Sequence, residues 1–351
     1  MPTPLEALLN RPLLHFDPAP LRARIAGKRV LVTGAAGSIG SELSRQLAAL
    51  APAALIGFDN AETPLFNLNL ELPTLIPEIG DITRPHHLES LFRRHQPQII
   101  FHAAAFKHVP MMELHPFAAV ETNIFGTDEL AQASIRHHAE DFLLISSDKA
   151  VRPTSMMGAT KRVAEMLVHA LQPTTGTHFY SVRFGNVLGS SGSVVPIFQN
   201  QIASGGPITI THPEMRRYFM TTPEATELVL QALALGRGGE LFTLYMGEPV
   251  RIVELAERMI RQAGLEPHRD IKIQFTGIRP GEKLFEELNL NSEDLVPTPN
   301  ERIKCYRSSH SLGLDAMRAA IDDLQRITAA EDRTALIVLL LRIIPDFAHE
   351  L

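Results

Sequence analysis

The sequence predicts an α/β protein, a doubly wound parallel sheet with a smaller portion interleaved into its C-terminal half. Two observations predict it. Short apolar runs alternate with amphipathic helical patterns from residue 28 to residue 184, the order that builds a parallel sheet covered on both faces. A glycine-rich turn, Thr33-Gly34-Ala35-Ala36-Gly37-Ser38-Ile39-Gly40, joins the first run to the first helix. Hydrophobic residues make up 45% and charged residues 21%, which is ordinary for a soluble globular chain.

Several classes are set aside by composition. A net charge of -6 argues against a general nucleic-acid binder. A single cysteine, Cys305, excludes an internal disulfide framework and fits a reducing cytoplasm. The N-terminus lacks a basic-then-apolar signal pattern. The longest apolar run, Ala335 to Leu341, is too short for a bilayer and reads as a buried C-terminal helix, with a dimer contact as the second reading. The 15 histidines form no HxxxH pattern and there is no CxxC, so no metal site is expected.

Taken in order, residues 1–26 are rich in proline and leucine and read as a lead-in arm, neither a strand nor a long helix. Lys28 to Thr33 is the first strand, and a helix runs from the glycine turn through Leu50. Glycines there permit a tight turn and close approach of backbone to a pyrophosphate at the helix N-terminus. Gly34, Gly37, Ser38, Ile39 and Gly40 are therefore candidate dinucleotide contacts, and the sheet is of the Rossmann type. Asp59 ends the second strand, Ala54 to Phe58. A carboxylate there accepts from the ribose hydroxyls and repels a 2′-phosphate. No lysine or arginine lies between Leu50 and Ile82, so both features favour NAD over NADP; a solvated strand-end carboxylate is the alternative.

The third strand leads into Gly80-Asp81-Ile82. Asp81 either touches the adenine edge, with Ile82 beside it, or caps the helix that begins near Pro85. Gln98 to His102 is the fourth strand, and Ala103, Ala104 and Ala105 after it are small enough to let backbone lie against a cofactor. Lys107 to Pro110 reads as a loop, and Phe117 to His137 as one helix. Asn123 within that helix needs a backbone group or a bound water as partner. The fifth strand, Phe142 to Ile145, delivers Ser146 to Lys161. Ser147, Asp148 and Lys149 thus stand at a strand end, where parallel sheets bind ligands. The next helix starts near Thr154 or Ser155, either of which suits a cap, and Lys161 lies one turn past Met157 on the same face. A sixth strand, Phe179 to Phe184, runs into Gly185-Asn186. Ser190 to Arg217 is irregular, Thr222 to Leu235 is a helix, Leu241 to Tyr245 a strand, Val253 to Ala263 a helix and Ile271 to Phe275 a strand before Gly277 to Lys283. Residues 27–185, with 222–248 returning to them, form the dinucleotide-binding domain. Residues 186–221 and 249–330 form a substrate-binding portion, and 331–351 the C-terminal helix.

Together these stretches resemble the extended short-chain dehydrogenase/reductase superfamily. More narrowly they resemble the polysaccharide-biosynthesis nucleotide-sugar 4,6-dehydratases that act on UDP-N-acetylglucosamine. The resemblance is carried by Thr33 to Glu42, His102 to Met112, Ser146 to Lys161, Arg183 to Gly189, Arg216 to Met220 and Gly277 to Glu287. Most of the superfamily has tyrosine where Met157 stands, and methionine there marks the C5-retaining subgroup. Members of that subgroup usually carry an N-terminal membrane domain, so the chain is expected to be either a piece of a larger protein or a naturally short soluble, cytoplasmic member. The resemblance implies oxidation of the sugar at C4, loss of water across C5 and C6, and return of the hydride to C6 by a tightly held NAD that is regenerated each turnover. It also implies an oligomer, at least a dimer.

The same resemblance assigns Lys149 as the C5 base, Asp148 as the acid, Ser147 as the partner of the C4 hydroxyl and Lys161 as the ligand of the nicotinamide ribose. It places Lys107, His108, Asn186, Arg216 or Arg217, Arg279 and Glu282 around the UDP-sugar. A free lysine is neutral only about once in 2,500 at pH 7, so Lys149 is expected to be depressed by Lys161, the oxidised nicotinamide and burial. A purely structural Asp148–Lys149 pair, and a Lys161–Glu165 surface pair, are the alternatives. Met157 cannot titrate, which leaves Asp148, a water, or Ser147 relaying to solvent to receive the C4 hydroxyl proton. Competing functions are a UDP-sugar 4-epimerase, a C5-inverting dehydratase and a non-catalytic NAD or UDP-sugar binding protein.

Overall fold

The centre of the sheet is built from strands whose residues are buried on both sides. The computed structural model describes residues 18–172, 176–288, 294–307 and 312–349; residues 1–17 of the expected arm lie outside them. β1 (Arg29–Thr33), β2 (Ala54–Asp59), β3 (Leu75–Ile79), β4 (Ile99–His102), β5 (Asp141–Ile145) and β6 (His178–Arg183) are parallel, in the spatial order β3-β2-β1-β4-β5-β6. Leu31, Ile56, Ile100, Phe142 and Leu144 face one hydrophobic core. Their neighbours Val30, Val32, Leu55, Ile99, Phe101, Leu143 and Ile145 face the other. Burial on both faces is why these strands read as unbroken apolar runs. The strand order reverses between β1 and β4, and ligands of such sheets bind in the crevice at that reversal.

Beyond β6 the sheet continues. Leu241–Leu244 adds in parallel, then Ile303–Arg307 and Asp294–Pro297 add antiparallel at the edge. The last two were expected in the substrate portion; the structure instead pairs them with the main sheet. The helix Leu314–Ala329 likewise leaves that portion, because Met317, Ile321 and Leu324 join the core beneath β5. A separate core does exist for the interleaved segments, where Phe198, Ile208, Ile210, Phe219, Leu255 and Ile260 pack together. Ile273–Phe275 pairs with Ile208–Ile210 there. Within the arm, Ala19–Ile25 is a short helix anchored by Leu21 and Ile25.

Two local departures bear on the site. Lys107 to Pro110 is not all loop, since a helix runs over Val109–Leu114 with Pro110 in its first turn, where a missing N–H costs nothing. The expected single helix 117–137 is three pieces: Pro116–Val120, a π-helical turn Glu121–Phe125, and Gly126–Arg136. Asn123 sits in that turn.

The helix Met156–Leu171 is capped by Ser155, whose Oγ accepts from the Gly158 N–H at 3.1 Å. It is fixed to the sheet by a buried ion pair. Arg183 donates through Nε and Nη2 to the two Glu165 oxygens, each at 2.8 Å, and Ser146 Oγ donates to the same carboxylate at 2.6 Å. Burial opposes the Glu165 charge, but Arg183, Arg162 and Ser146 outweigh it and hold the carboxyl below its usual range. At the other side, Glu113 Oε1 accepts from the Met156 N–H at 2.7 Å, while its Oε2 meets His349 Nε2 at 2.8 Å. Arg333 donates to the Glu113 carbonyl at 2.6 Å, and the Ala348 N–H to the Pro153 carbonyl at 3.0 Å. Among the described residues, no helix is long and apolar enough to cross a membrane.

Removing one member of the buried pair strands the other. Arg183→Met is expected to cost about 3–5 kcal/mol in urea denaturation, and adding Glu165→Leu to recover most of it. An Arg183→Met protein as stable as the parent would contradict a structural role for the pair.

Candidate active site

The site begins at the glycine turn. A side chain at Gly40 would overlap the Gly34 carbonyl, and one at Gly34 would fall 2.6 Å from the Ala104 N atom. Backbone here is packed against backbone, and the helix N-terminus is left open to a ligand. Asp59 braces the turn: its Oδ2 accepts from the Ala36 N–H and its Oδ1 from the Ala61 N–H, both at 2.9 Å. Each oxygen keeps a second lone pair for a further donor. Beneath the turn, His102 links Thr33 Oγ1 at 2.8 Å to Thr127 Oγ1 at 2.9 Å. Burial, helped by Lys161, lowers its pKa to about 3, so the ring is a neutral strut. Sequence reasoning did not single out this histidine.

Gly34, Gly37, Ser38, Ile39, Gly40, Ala103, Ala105, Lys107, His108, Ser147, Lys149, Met157, Lys161 and Asn186 line one cleft of about 570 Å³. A second cleft of about 350 Å³ adjoins it, sharing Lys107, His108, Lys149 and Asn186 and adding Arg217, Arg279, Glu282 and Glu286. Among the described residues, no tyrosine lines either cleft.

Other expected contacts stand elsewhere. Asp81 Oδ1 accepts from both the N–H and hydroxyl of Thr83, at 2.9 and 2.8 Å, and the following helix starts after Arg84 with no side-chain cap, so Asp81 closes a local turn. Ile82 is buried in the core. Ala104 packs against Gly34 and turns away from the cleft. Asn123 accepts from the Phe106 N–H at 2.9 Å and donates to the Phe106 carbonyl and Thr160 Oγ1, each at 3.0 Å. It holds the Ala103 to Phe106 wall, and both of its amide hydrogens are spent there. Arg216 lies over the Phe285 ring at 5.9 Å, outside both clefts.

The catalytic-type residues cluster at the end of β5. Residues Asp148–Ala150 form a single 3-10 turn. Gly158 permits it, because a side chain there would strike the Lys149 carbonyl. Ser147 Oγ donates to Asp148 Oδ1 at 2.9 Å, and Lys149 Nζ reaches the same oxygen at 2.9 Å and Asn186 Oδ1 at 3.4 Å. Asp148 is fully buried behind them, and its Oδ2 has no partner. Lys161 Nζ donates to the Ile145 carbonyl at 2.7 Å, not to Glu165, since Arg183 occupies that carboxylate. Burial, only partly offset by Glu165, lowers the Lys161 pKa to about 8. Burial lowers Lys107, and burial with Lys107 lowers His108. Met157 is buried against Met112, Ala119 and Val109 with its flank on the cleft.

The expected depression of Lys149 is reversed. Burial does push it down, but Asp148 and Glu286 outweigh burial and hold the ammonium above its usual range. Lys161 does not face it; carboxylates do. Glu286 is the group the sequence did not single out. Its Oε1 is 3.7 Å from Lys149 Nζ and 3.8 Å from Arg217 Nε, and its Oε2 is buried without a partner. Burial, reinforced by Asp148, raises it against the pull of Lys149, Arg217 and Lys283. Arg217 spends most of its guanidinium on the carbonyls of Arg216, Lys283 and Leu284. Arg279 pairs with Glu282 at 3.0 Å on the open rim.

A family model described as polysaccharide biosynthesis protein matches residues 30–308. The capsular polysaccharide biosynthesis protein CapD of Staphylococcus aureus is 47% identical over 301 residues, covering 84% of this chain and 50% of that protein. The probable polysaccharide biosynthesis protein EpsC of Bacillus subtilis is 48% identical over 303 residues, covering 83% and 50%. The chain thus spans about half the length of these curated relatives. The X-ray structure of Pen from Bacillus thuringiensis is similar with a TM-score of 0.75 at 34% identity, covering 86% of this chain and 98% of that one.

The two site lysines are expected to differ in nucleophilicity. In acylation by a small amine-reactive anhydride, read by peptide mass spectrometry, the Lys161 rate reaches half its maximum near pH 8. Lys149 remains slow at that pH. Equal rates for the two would contradict this electrostatic description.

Proposed function

The chain belongs to the polysaccharide biosynthesis protein family, and on that premise we propose that it is an NAD-dependent nucleotide-sugar 4,6-dehydratase. The proposed substrate is UDP-N-acetylglucosamine and the proposed product its UDP-4-keto-6-deoxy derivative. One observation carries the reading: Ser147, Asp148 and Lys149 join into a hydrogen-bonded acid–base cluster beside Lys161 and Met157, in a cleft without tyrosine. Plain alcohol oxidation needs one proton acceptor. A hydrogen-bonded carboxylate–lysine pair suits an elimination that needs both an acid and a base.

NAD fits the first cleft. The open helix N-terminus and the Gly34, Gly37 and Gly40 backbone suit its pyrophosphate, Asp59 suits the adenosine ribose, and Lys161 suits the nicotinamide ribose. When bound, NAD supplies hydride acceptance at C4 and hydride return at C6. The UDP-sugar fits the adjoining cleft, with Arg217 and Arg279 for the diphosphate, Glu282 for the uridine ribose, and Lys107, His108 and Asn186 along the sugar. Arg216, which stacks on Phe285 instead, is set aside.

The protons move through the chain's own groups. Ser147 Oγ receives the C4 hydroxyl proton and hands its own to Asp148 Oδ1, the group it already meets at 2.9 Å. Met157 then has no proton to carry, and its apolar flank packs the wall. Lys149 Nζ takes the C5 proton. Asp148, now protonated, returns its proton through Ser147 to the C6 hydroxyl, which leaves as water. Lys149 gives its proton back to C5, so configuration there is retained.

Incubation with UDP-N-acetylglucosamine is expected to give a product lighter by one water in mass spectrometry. In heavy water, ring couplings read by NMR report C5 configuration. Asp148→Asn and Lys149→Met are each expected to lose at least about 100-fold in turnover, while Met157→Ala keeps measurable activity. Full activity in either polar variant would overturn the assignment.

A further inference from the structure

We infer that Glu286 receives the Lys149 proton and so turns Lys149 into a base, acting as a positioning residue of the elimination. The inference rests on the reading of Lys149 as the C5 base. A base must be neutral, and Lys149 sits between two buried carboxylates, 2.9 Å from Asp148 Oδ1 and 3.7 Å from Glu286 Oε1. Loss of its proton to solvent would leave two carboxylates facing one amine in a site sheltered from water, which is costly. A transfer inside the cluster avoids that, because net charge does not change.

Two acceptors are at hand, each with one buried oxygen that lacks a partner, and the proposed proton path leaves only one of them uncommitted. Asp148 is committed to the C4 hydroxyl proton through Ser147. Glu286 is joined to neither. Its Oε2 is buried with no hydrogen-bond partner, as suits a carboxyl group that alternates between charged and neutral forms. The charges facing it are Lys149, Asp148, Arg217 and Lys283. Arg217 is held by backbone carbonyls, and Lys283 Nζ donates to the Val151 carbonyl at 2.9 Å, so neither neutralises Glu286 through a hydrogen bond. Burial already brings this carboxyl nearer to holding a proton than an ordinary glutamate.

The step balances. One Lys149 Nζ–H bond breaks and one Glu286 O–H bond forms. An ammonium–carboxylate pair becomes an amine–carboxylic acid pair, with no change in oxidation state. A sugar filling the cleft excludes water and shifts the balance toward the neutral pair. The transfer reverses once C5 has regained its proton.

The test has two arms. In the first, Lys149 acylation against pH is read by peptide mass spectrometry on the protein without substrate. Glu286→Gln is expected to make Lys149 about tenfold more reactive at pH 8, and Glu286→Asp to restore part of the protection. An unmoved Lys149 overturns the inference whatever the substrate is. In the second, turnover and solvent deuterium entry at C5 are followed with UDP-N-acetylglucosamine. With the sugar in place the Lys149 proton then has no acceptor, so only Lys149 already neutral when the sugar binds can react. Glu286→Gln is expected to lose at least about 100-fold in kcat at about pH 7 with KM little changed, to regain part of it as pH rises, and to lose C5 exchange at that pH while C4 oxidation, read as reduced cofactor, continues. Wild-type-like turnover in Glu286→Gln overturns the inference. If the parent enzyme shows no turnover but Lys149 shifts in the first arm, the substrate assignment fails and the Glu286–Lys149 coupling stands.

Discussion

The Glu165–Arg183 ion pair is the constraint from which the site geometry follows. It joins a helix to the end of β6, and through Ser146 it also reaches the end of β5. Three elements are thereby held at one point under the cleft. Ser147 to Lys149 continue from one of them, and Met157 and Lys161 stand on another. Because Arg183 claims Glu165, Lys161 is left to bond a single carbonyl and to present its remaining donors to the cleft. A buried pair is a poor source of net stability, and its better-attested use is to specify one arrangement over others. Here that arrangement places a strand end and a helix face within reach of one ligand.

Above that frame the electrostatics divide the two lysines. Lys161 has burial only partly offset by Glu165, whose charge Arg183 holds, and is lowered; Lys149 has burial with two carboxylates and is raised. The difference is one of neighbours, not of exposure. It suits a division of labour in which one lysine holds a ribose and the other exchanges a proton. It also explains how a methionine is tolerated where a titrating side chain is usual in the resembling superfamily. In the proposed reaction the Ser147–Asp148 hydrogen bond gives the hydroxyl proton another way out, and Met157 packs against Met112 and Ala119.

Much of this was legible in the sequence for a physical reason. β1, β2, β4, β5 and β6 are buried on both faces, so apolar runs of strand length marked them, and the glycine turn lay where strand meets helix. Ser147, Lys149, Met157 and Lys161 were placed by the same alternation. What could not be read depends on distant segments. The charged state of Lys149 is set by Asp148 together with Glu286, and nothing in a pair of adjacent glutamates tells which one turns inward. The edge strands Asp294–Pro297 and Ile303–Arg307 are short and mixed in polarity, with one face of the sheet edge open. The π-helical turn contains Asn123, whose grip on Phe106 is a contact without a local signature. Asp81 shows that a polar residue beside a strand end can also be engaged locally, here through one oxygen by Thr83.

The clasp on Glu113 has a temporal consequence. One carboxylate from the middle of the chain receives the Met156 N–H and His349, and its backbone receives Arg333. During synthesis the ribosome delivers Glu113 and Met156 long before His349 emerges. Until then a buried carboxylate lacks one of its partners, and the start of the active-site helix lacks its cover. The nascent chain can thus pair β1 to β6 early, while the catalytic end of that sheet is completed only when some of the last residues described arrive. Order of synthesis and order of burial are therefore out of step at this site, and the late contact is of the long-range kind that slows folding.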